Sequence, residues 1–467
     1  MTAAPRRRVQ VLAFAALALA CRPEPPVQAE LSQAARWLQE YLRIDTTNPP
    51  GHEERAVEFL RARLAAAGVA SETLVGPGGR SSLVARLPPS RPGGRSILLL
   101  HHMDVVPAGE GWSRGAFGGE ERDGSIWGRG AIDCKSLGIA ELAAFLAAAR
   151  SPAPRERGLI LLAVADEETG GGGGTGWILD ARPELFSDVE AVLNEGGQNR
   201  VVLGKQHFWG LETTQKRPLW LEIRAAGRAG HASAVNPESA VPLWVRGRAR
   251  LVDEPAVWRV SPAARAYFAG LAPIDANAAA MARDLDAIIQ AKGPTRNLLP
   301  GMAIYFLDTV QVTVLGGASE INVVPGEARA RVDVRLLPDT DERAFLEHLR
   351  AVVGKELEVD VLLSSPPVAP SPTDTAIYRR IAATLSPRAP VVPSFIAGIT
   401  DSRYFRARGI AAYGFSPFAL DWDALHTVHG PDEHIPVAAF DRGVETLRAV
   451  VLALVNDTSP ARPENRR

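Results

Sequence analysis

The chain has 467 residues, 46% of them hydrophobic and 22% charged, a composition that supports a sizeable buried core in two or three domains and excludes disorder, collagen and a coiled coil. Lysine plus arginine number 52 against 53 aspartates plus glutamates, a net charge of −1, so no basic excess exists to neutralise a phosphate backbone and nucleic acid is not expected as a partner. Cys21 and Cys134 are the two cysteines, too few for a disulfide scaffold.

In chain order, Arg6, Arg7 and Arg8 precede an apolar run from Val9 to Ala20. A charged start followed by a short apolar stretch predicts an export signal over 1–20, too short to span a bilayer permanently. Ala18-Leu19-Ala20-Cys21 resembles a bacterial lipobox, which implies that Cys21 is lipidated and becomes the mature N-terminus; cleavage at an A-x-A site with an unmodified Cys21 is the alternative. The expected location is the bacterial cell envelope or periplasm, with the membrane met only through that lipid. Residues 21–30 read as a tether, and 459–467 as a frayed tail.

Leu31–Leu42 and Glu53–Ala67 have amphipathic helical patterns. Ser96–Val106 and Gly158–Glu168 are apolar runs that turn abruptly polar, as buried parallel strands do, and Ser136–Arg150 between them is a strong helix former. This alternation predicts an α/β domain with its chemistry at the carboxyl ends of strands. From about Trp220 the pattern changes: Leu219–Ala225, Gln311–Leu315, Ala328–Leu336 and Leu357–Leu363 alternate as half-buried strands, with a helix over Asp341–Val353. A helix after Thr373 and a strand over Ala411–Ser416 return to the first pattern. A smaller α+β domain, residues 214–365, is therefore expected to interrupt a domain made of 31–213 and 366–458. The helix-rich stretch 251–300 is assigned to the insertion.

In His101-His102-Met103-Asp104, alternation along the strand puts His102 and Asp104 on one side, so the carboxylate can orient the imidazole as metal-ligand histidines require. Asp133 follows the glycine-bearing loop Gly128-Arg129-Gly130; alone it reads as a helix cap. Asp166-Glu167-Glu168 ends the second buried strand, where one glutamate can ligate a metal while its neighbour acts as general base. The glycines at 170–174 lack the Gly-Lys-Ser/Thr of a phosphate loop and read as a mobile, closely approached loop. Glu195 ends another strand, and His429 lies in His429-Gly430-Pro431-Asp432-Glu433. Two histidines and three carboxylates at strand ends form a donor set for two first-row cations sharing a bridging carboxylate.

These motifs, in this order, resemble the dinuclear zinc metallopeptidase and amidohydrolase family that includes carboxypeptidase S, N-acyl-amino-acid hydrolases, aminoacylase, acetylornithine deacetylase and succinyl-diaminopimelate desuccinylase. The resemblance runs from Asp45-Thr46-Thr47-Asn48-Pro49-Pro50-Gly51 to His429. It implies a zinc-exopeptidase-like catalytic domain with a mixed, mostly parallel sheet, and an inserted lid or dimerisation domain. It implies two Zn2+ per subunit, replaceable by Co2+ or Mn2+, with His102 and Glu195 on one, Glu168 and His429 on the other, and Asp133 between them. Asp104 would orient His102, the Asp133-Cys134 peptide would be cis, and Glu167 would be the base acting on a bridging zinc hydroxide. Gly230-His231-Ala232-Ser233 resembles the family's lid loop, implying that His231 polarises the scissile carbonyl, within its own subunit or across a homodimer. Asn322 and Arg335 match lid residues that bind the substrate's carbonyl and carboxylate, and the resemblance of Thr400-Asp401-Ser402-Arg403 to the carboxypeptidase S branch implies Arg403 as a second candidate for the carboxylate.

The expected substrate is a small peptide or an N-acyl amino acid, cleaved at an amide next to a free carboxylate. A non-catalytic envelope lipoprotein that binds such molecules is the competing reading, and Glu167 discriminates, because a binding protein needs no general base. The H-G-x-D-E spacing selects His429 over His426 and His434; His434 is expected on the surface, and His52, His101, His207 and His348 as structural or exposed.

Overall fold

The computed structural model describes residues 30–197, 199–202, 205–290, 302–317 and 320–457. The export signal, nearly all of the tether, Cys21 and the tail fall outside the described residues.

Ser96–His102 and Gly158–Val164 are strands buried at every residue and pair in parallel. Continuous apolar runs need cover on both faces. Ile97, Leu99, Leu159 and Leu161 face one side, against the helices Lys135–Arg150 and Val437–Val455 and the first two helices, Gln33–Leu42 and Glu53–Ala66. Leu98, Leu100, Ile160 and Leu162 face the other, with Ile178, Leu179 and Phe405 from the short helices Trp177–Ala181 and Ser402–Arg406.

Val189–Asn194 pairs in parallel with Ser96–His102, and Ala411–Gly414 in parallel with Val189–Asn194. An antiparallel strand flanks this parallel group on each side: Ser81–Leu87, to which Ser71–Val75 pairs antiparallel, and Lys205–Gln215, to which Val391–Ile396 pairs in parallel. With Arg200–Val202 paired to Lys205–Gln215, the sheet has nine strands. It is mixed and mostly parallel at its centre, the predicted fold class, and the four parallel strands end on one edge.

A separate four-stranded antiparallel sheet runs in the order Thr309–Gly316, Glu327–Leu336, Arg217–Ala226, Leu357–Ser364. Glu327–Leu336 alternates strictly, with Ala328, Ala330, Val332, Val334 and Leu336 turned inward against the helices Ala240–Asp253 and Glu342–Val353. Asp341 caps the second helix by accepting from the Ala344 N–H, as its side chain is suited to do.

The 251–300 stretch differs from expectation. Its helices Pro262–Leu271 and Ala276–Gln290 share a core with Val392 and Phe395 of Val391–Ile396. That strand is the edge of the large sheet and needs apolar cover, so a segment inserted with the small sheet in sequence packs on the large one in space. No helix among the described residues is long and apolar enough to cross a membrane.

Candidate metal centre and active site

His102 is the last residue of its strand. Its Nδ1 lies 2.8 Å from the Asp104 main-chain carbonyl, a bond that fixes the proton on Nδ1 and leaves Nε2 free as a ligand. Nε2 points at Asp133 Oδ1, 3.0 Å away, with Glu195 Oε1 at 3.7 Å. The orienting contact predicted for the Asp104 carboxylate is thus made by its backbone, the carboxylate oxygen being 3.8 Å from Nδ1. That buried carboxylate instead accepts the N–H groups of Glu167 and Glu168, at 3.2 and 3.1 Å, and the Asn48 amide at 2.7 Å. Asp104 therefore holds the glutamate pair as well as the histidine.

Asp133 lies on a loop pinned from beneath. Glu433, with no exposed surface, accepts the N–H groups of Gly130, Ile132 and Asp133 at 3.0, 2.8 and 3.1 Å and pairs with Arg129 at 2.7 Å. Lys135 Nζ, also buried, donates to the carbonyls of Tyr41 and Ile44, and the Asp133-Cys134 peptide is cis. Asp133 Oδ2 then faces His429 Nε2 at 3.1 Å, which is 3.5 Å from Glu168 Oε2.

The turn carrying Glu167 begins at Asp166, whose φ of 75° is left-handed. Its carboxylate holds the turn by accepting from Gly173 N at 2.6 Å and Thr169 Oγ1 at 2.5 Å, and it pairs with Arg80 at 2.8 Å. Arg80 also pairs with buried Glu53 and donates to Asn48. The predicted close approach along the glycine run is present: a Cβ on Gly171 would meet Asp401 and one on Gly174 would meet the Ala165 carbonyl. The run is a packed turn, with Gly174, Thr175 and Gly176 buried.

Two donor groups result, His102 with Asp133, Glu195 and the Cys134 sulfur, and Asp133 with Glu168 and His429. Glu167 Oε1 and Glu168 Oε1 are buried without a hydrogen-bond partner, a costly state unless a cation or substrate faces them. Burial pushes Glu195 up to about 8, against the pull of His102 and with help from Asp133 and Glu168. Burial also raises Glu167 well above the usual carboxylate range, with Glu195 adding to it. Hydrogen bonds to Asp133 and then Glu168 push His429 up to about 10. Burial opposes ionisation of Asp133, yet bonds from His102 and His429 hold it below its ordinary value. Crowded carboxylates joined by imidazoles on both oxygens of one aspartate suit two divalent cations of N/O preference.

The remaining predicted residues lie elsewhere. Gly230–His231 pairs with Val323–Val324, and Ala232 N–H reaches the Asn322 carbonyl at 3.0 Å, so His231 and Asn322 are neighbours. Both are exposed, His231 Nδ1 is 2.8 Å from Ser233 Oγ, and His231 is not among the donor side chains gathered at Asp133. Arg335 forks onto Asp333 at 2.7 and 2.8 Å. Arg403 is buried, donates to the carbonyls of Gly170 and Thr400 at 2.6 and 3.0 Å, and leaves Nε without a partner.

His101 is structural, buried with Nδ1 2.7 Å from Glu141, and His52, His207, His348 and His426 are exposed. His434 is not the expected surface residue: it is half-buried and stacks on Trp127 at 4.1 Å, because its strand pairs with Ser125–Trp127. Asn48, Arg80 and Glu433 were missed as positioning residues. Asn48 and Glu433 lie inside the Asp45–Gly51 and His429–Glu433 motifs, which was the available signal; Arg80 carries none.

Peptidase family M20/M25/M40 matches residues 98–453. Aminoacylase-1 of Pongo abelii is 28% identical over 431 residues, covering 90% of this chain and 94% of that protein. N-fatty-acyl-amino acid synthase/hydrolase PM20D1 of Xenopus tropicalis is 29% identical over 357 residues, 74% of this chain and 69% of that one. Among solved structures, the M20 family metallo-carboxypeptidase Sso-CP2 from Sulfolobus solfataricus shares the fold with a TM-score of 0.70 at 18% identity, over 91% of this chain and 100% of that one.

Proposed function

The chain belongs to peptidase family M20/M25/M40 and is a metal-dependent hydrolase of amide bonds; from that premise we propose that it is an exported zinc enzyme acting on N-acyl amino acids, at the amide next to the free carboxylate. The likeness to aminoacylase-1 supports this substrate class ahead of a carboxypeptidase's peptides. The observation that carries the reading is Asp133, with a histidine of a different donor group on each carboxylate oxygen.

His102 and Glu195 would hold one cation, Glu168 and His429 the other, with Asp133 giving an oxygen to each. Bound there, the pair supplies Lewis-acid polarisation of the scissile carbonyl and acidifies water. Glu167, fixed through its N–H by Asp104, takes the proton of the attacking water and delivers it to the leaving nitrogen. His231 donates to the oxygen on which charge develops, and Arg335 or Arg403 pairs with the substrate carboxylate while Asn322 holds its carbonyl.

His231 would act from a second subunit. Thr309–Gly316 is an open edge strand with Val314 and Leu315 exposed, and Val241, Val245 and Val252 are exposed on the helix Ala240–Asp253, features that support a homodimer through the inserted sheet. Export, and a lipid on Cys21 as the membrane anchor, rest on the N-terminal sequence. A mature N-terminus other than a lipid-bearing Cys21, found by mass spectrometry, refutes the anchor.

The test of function is metal content together with release of free amino acid from N-acyl amino acids and dipeptides, before and after chelation. Chelator-sensitive release from the N-acyl panel supports the reading. A folded sample that cleaves dipeptides alone refutes the substrate class, and one that cleaves nothing refutes the enzyme.

A further inference from the structure

The turn that bears Glu167 and Glu168 is held at its start by Asp104, and a second set of buried groups holds its far end. The Gly170 N–H closes the turn on the Glu167 carbonyl at 2.8 Å. The Gly170 carbonyl accepts from Arg403 Nη2 at 2.6 Å and from the Tyr404 hydroxyl at 2.7 Å, which fills both of its lone pairs. Further along, the buried Thr175 hydroxyl donates to Asp401 Oδ2 at 2.6 Å, and a Cβ on Gly171 would press on Tyr404 as well as on Asp401. Asp401, Arg403 and Tyr404 belong to one short segment, the helix Ser402–Arg406 and the residue before it, so a single element meets the turn at three points.

That segment is itself anchored. Arg403 Nη1 donates to the Thr400 carbonyl at 3.0 Å, the same carbonyl accepts from Gln215 Nε2 at 3.0 Å, and the Thr400 hydroxyl donates to Gln215 Oε1 at 2.9 Å. Gln215 ends the strand Lys205–Gln215, where the chain leaves the large sheet. Gly170, Arg403, Thr400 and Gln215 thus form one line of bonds from the sheet to the turn, and all four residues are buried. Burying a guanidinium is costly unless its donors are met, and here carbonyls already fixed in place meet them.

This bonding decides between two roles for Arg403. Pairing with a substrate carboxylate needs two parallel N–H groups on one edge of the guanidinium. Both such edges include Nη2, whose hydrogens go to the Gly170 carbonyl and, at 3.4 Å, to the Tyr404 hydroxyl. Nε has no partner, but it has no free neighbour with which to complete a fork, and Arg403 is only 4% exposed. We propose that Arg403 is a positioning residue and not a substrate ligand: with Tyr404 and Asp401 it clamps the far end of the turn and so fixes the aim of Glu167. Of the two arginines offered for the substrate carboxylate, Arg403 drops out. The catalytic consequence rests on the hydrolase reading above.

The experiment measures kcat and KM on an N-acyl amino acid, and hydrogen exchange across residues 167–176, in the wild type and in Arg403→Gln, Arg403→Lys and Tyr404→Phe. Arg403→Gln is expected to lower kcat about 10²-fold with KM and bound metal within about twofold, and to speed exchange in the turn at least about tenfold. Arg403→Lys, which reaches one carbonyl but not both, should recover part of each effect, and Tyr404→Phe, which removes one of the two donors to Gly170, should show a smaller loss of the same kind. In a Glu167→Gln background the loss from Arg403→Gln should vanish, because a residue that acts through Glu167 then has nothing to position. A KM raised about tenfold or more at unchanged kcat makes Arg403 a substrate ligand and overturns the proposal, as do losses that add in the double variant. If Arg403→Gln does not fold, Arg403→Lys and Tyr404→Phe carry the same test. A wild type that cleaves no amide refutes the hydrolase reading, and exchange alone then judges the clamp: faster exchange in the variants supports it, and unchanged exchange overturns it.

Discussion

Around Asp133 the donor side chains follow strand ends or lie on loops held by buried carboxylates, whereas His231 and Asn322 sit exposed on a two-stranded ribbon of the inserted region. The difference lies in what meets the cost of placement. Asp104 and Glu433 accept main-chain N–H groups from the segments that bear Glu167, Glu168 and Asp133, so these side chains are fixed before any ligand arrives. Among the described residues no buried carboxylate holds the ribbon in this way: His231 touches Ser233, and Arg335, on the neighbouring strand Glu327–Leu336, is taken up by Asp333. On the proposed reading, the half around Asp133 would be complete within a chain, and the half bearing His231 would be completed by closure or by a second copy.

The sharpest way to break this comparison is Glu167→Gln, which keeps shape and removes the base. Turnover should fall about 10³-fold with metal content unchanged, and a variant of undiminished turnover would show that the preformed half does not carry the proton transfer. His231→Ala should cost about 10²-fold in kcat, again with metal retained. Mixing it with Glu167→Gln sharpens the point, because activity returns in mixed dimers only if His231 acts across the subunit boundary. Glu433→Ala strands three N–H groups and Arg129, and metal affinity, read by chelator competition, should drop about 10–100-fold, with Glu433→Gln recovering part of it. Equal affinity in all three proteins would show that Asp133 needs no support from beneath.

The smallest effect is expected at the junction of the two halves. Burial lowers Lys216 from 10.5 to about 8, against Asp308 and with Arg335. Because the folded value lies below the unfolded one, the unfolded chain binds more protons between those values, and stability rises with pH across that window. Melting temperatures at pH 8 and 10 should therefore shift in favour of the wild type relative to Lys216→Met; parallel shifts would remove Lys216 from the account.

The fold was legible where residues solve a local problem. Ser96–His102 reads as a buried strand because its apolar run leaves no polar face, and Glu327–Leu336 as a half-buried one because every second residue is small or aliphatic. Of the candidate metal ligands, His102, Glu168 and Glu195 were legible for the same reason, each being a donor where an apolar run stops, whereas Asp133 and His429 lie on loops and were marked only by the order of the motifs. What stayed hidden depends on partners distant in sequence. Glu433 meets Gly130 across some 300 residues, and Arg80 meets Asp166 across 86, so spacing records the residue type but not the contact. The helices Pro262–Leu271 and Ala276–Gln290 misled because sequence position within an insertion does not say which sheet offers the uncovered edge.

The account stands on Asp133 joining two cation sites, and titration of the metal-stripped chain with zinc, followed by bound-metal analysis and amide hydrolysis on one sample, tests it most directly. The account predicts about two zinc ions per chain in the wild type, hydrolysis that returns as they bind, and loss of both in Asp133→Ala. A folded wild type that hydrolyses N-acyl amino acids equally well with no metal bound, or an Asp133→Ala protein that keeps two zinc ions, would contradict it.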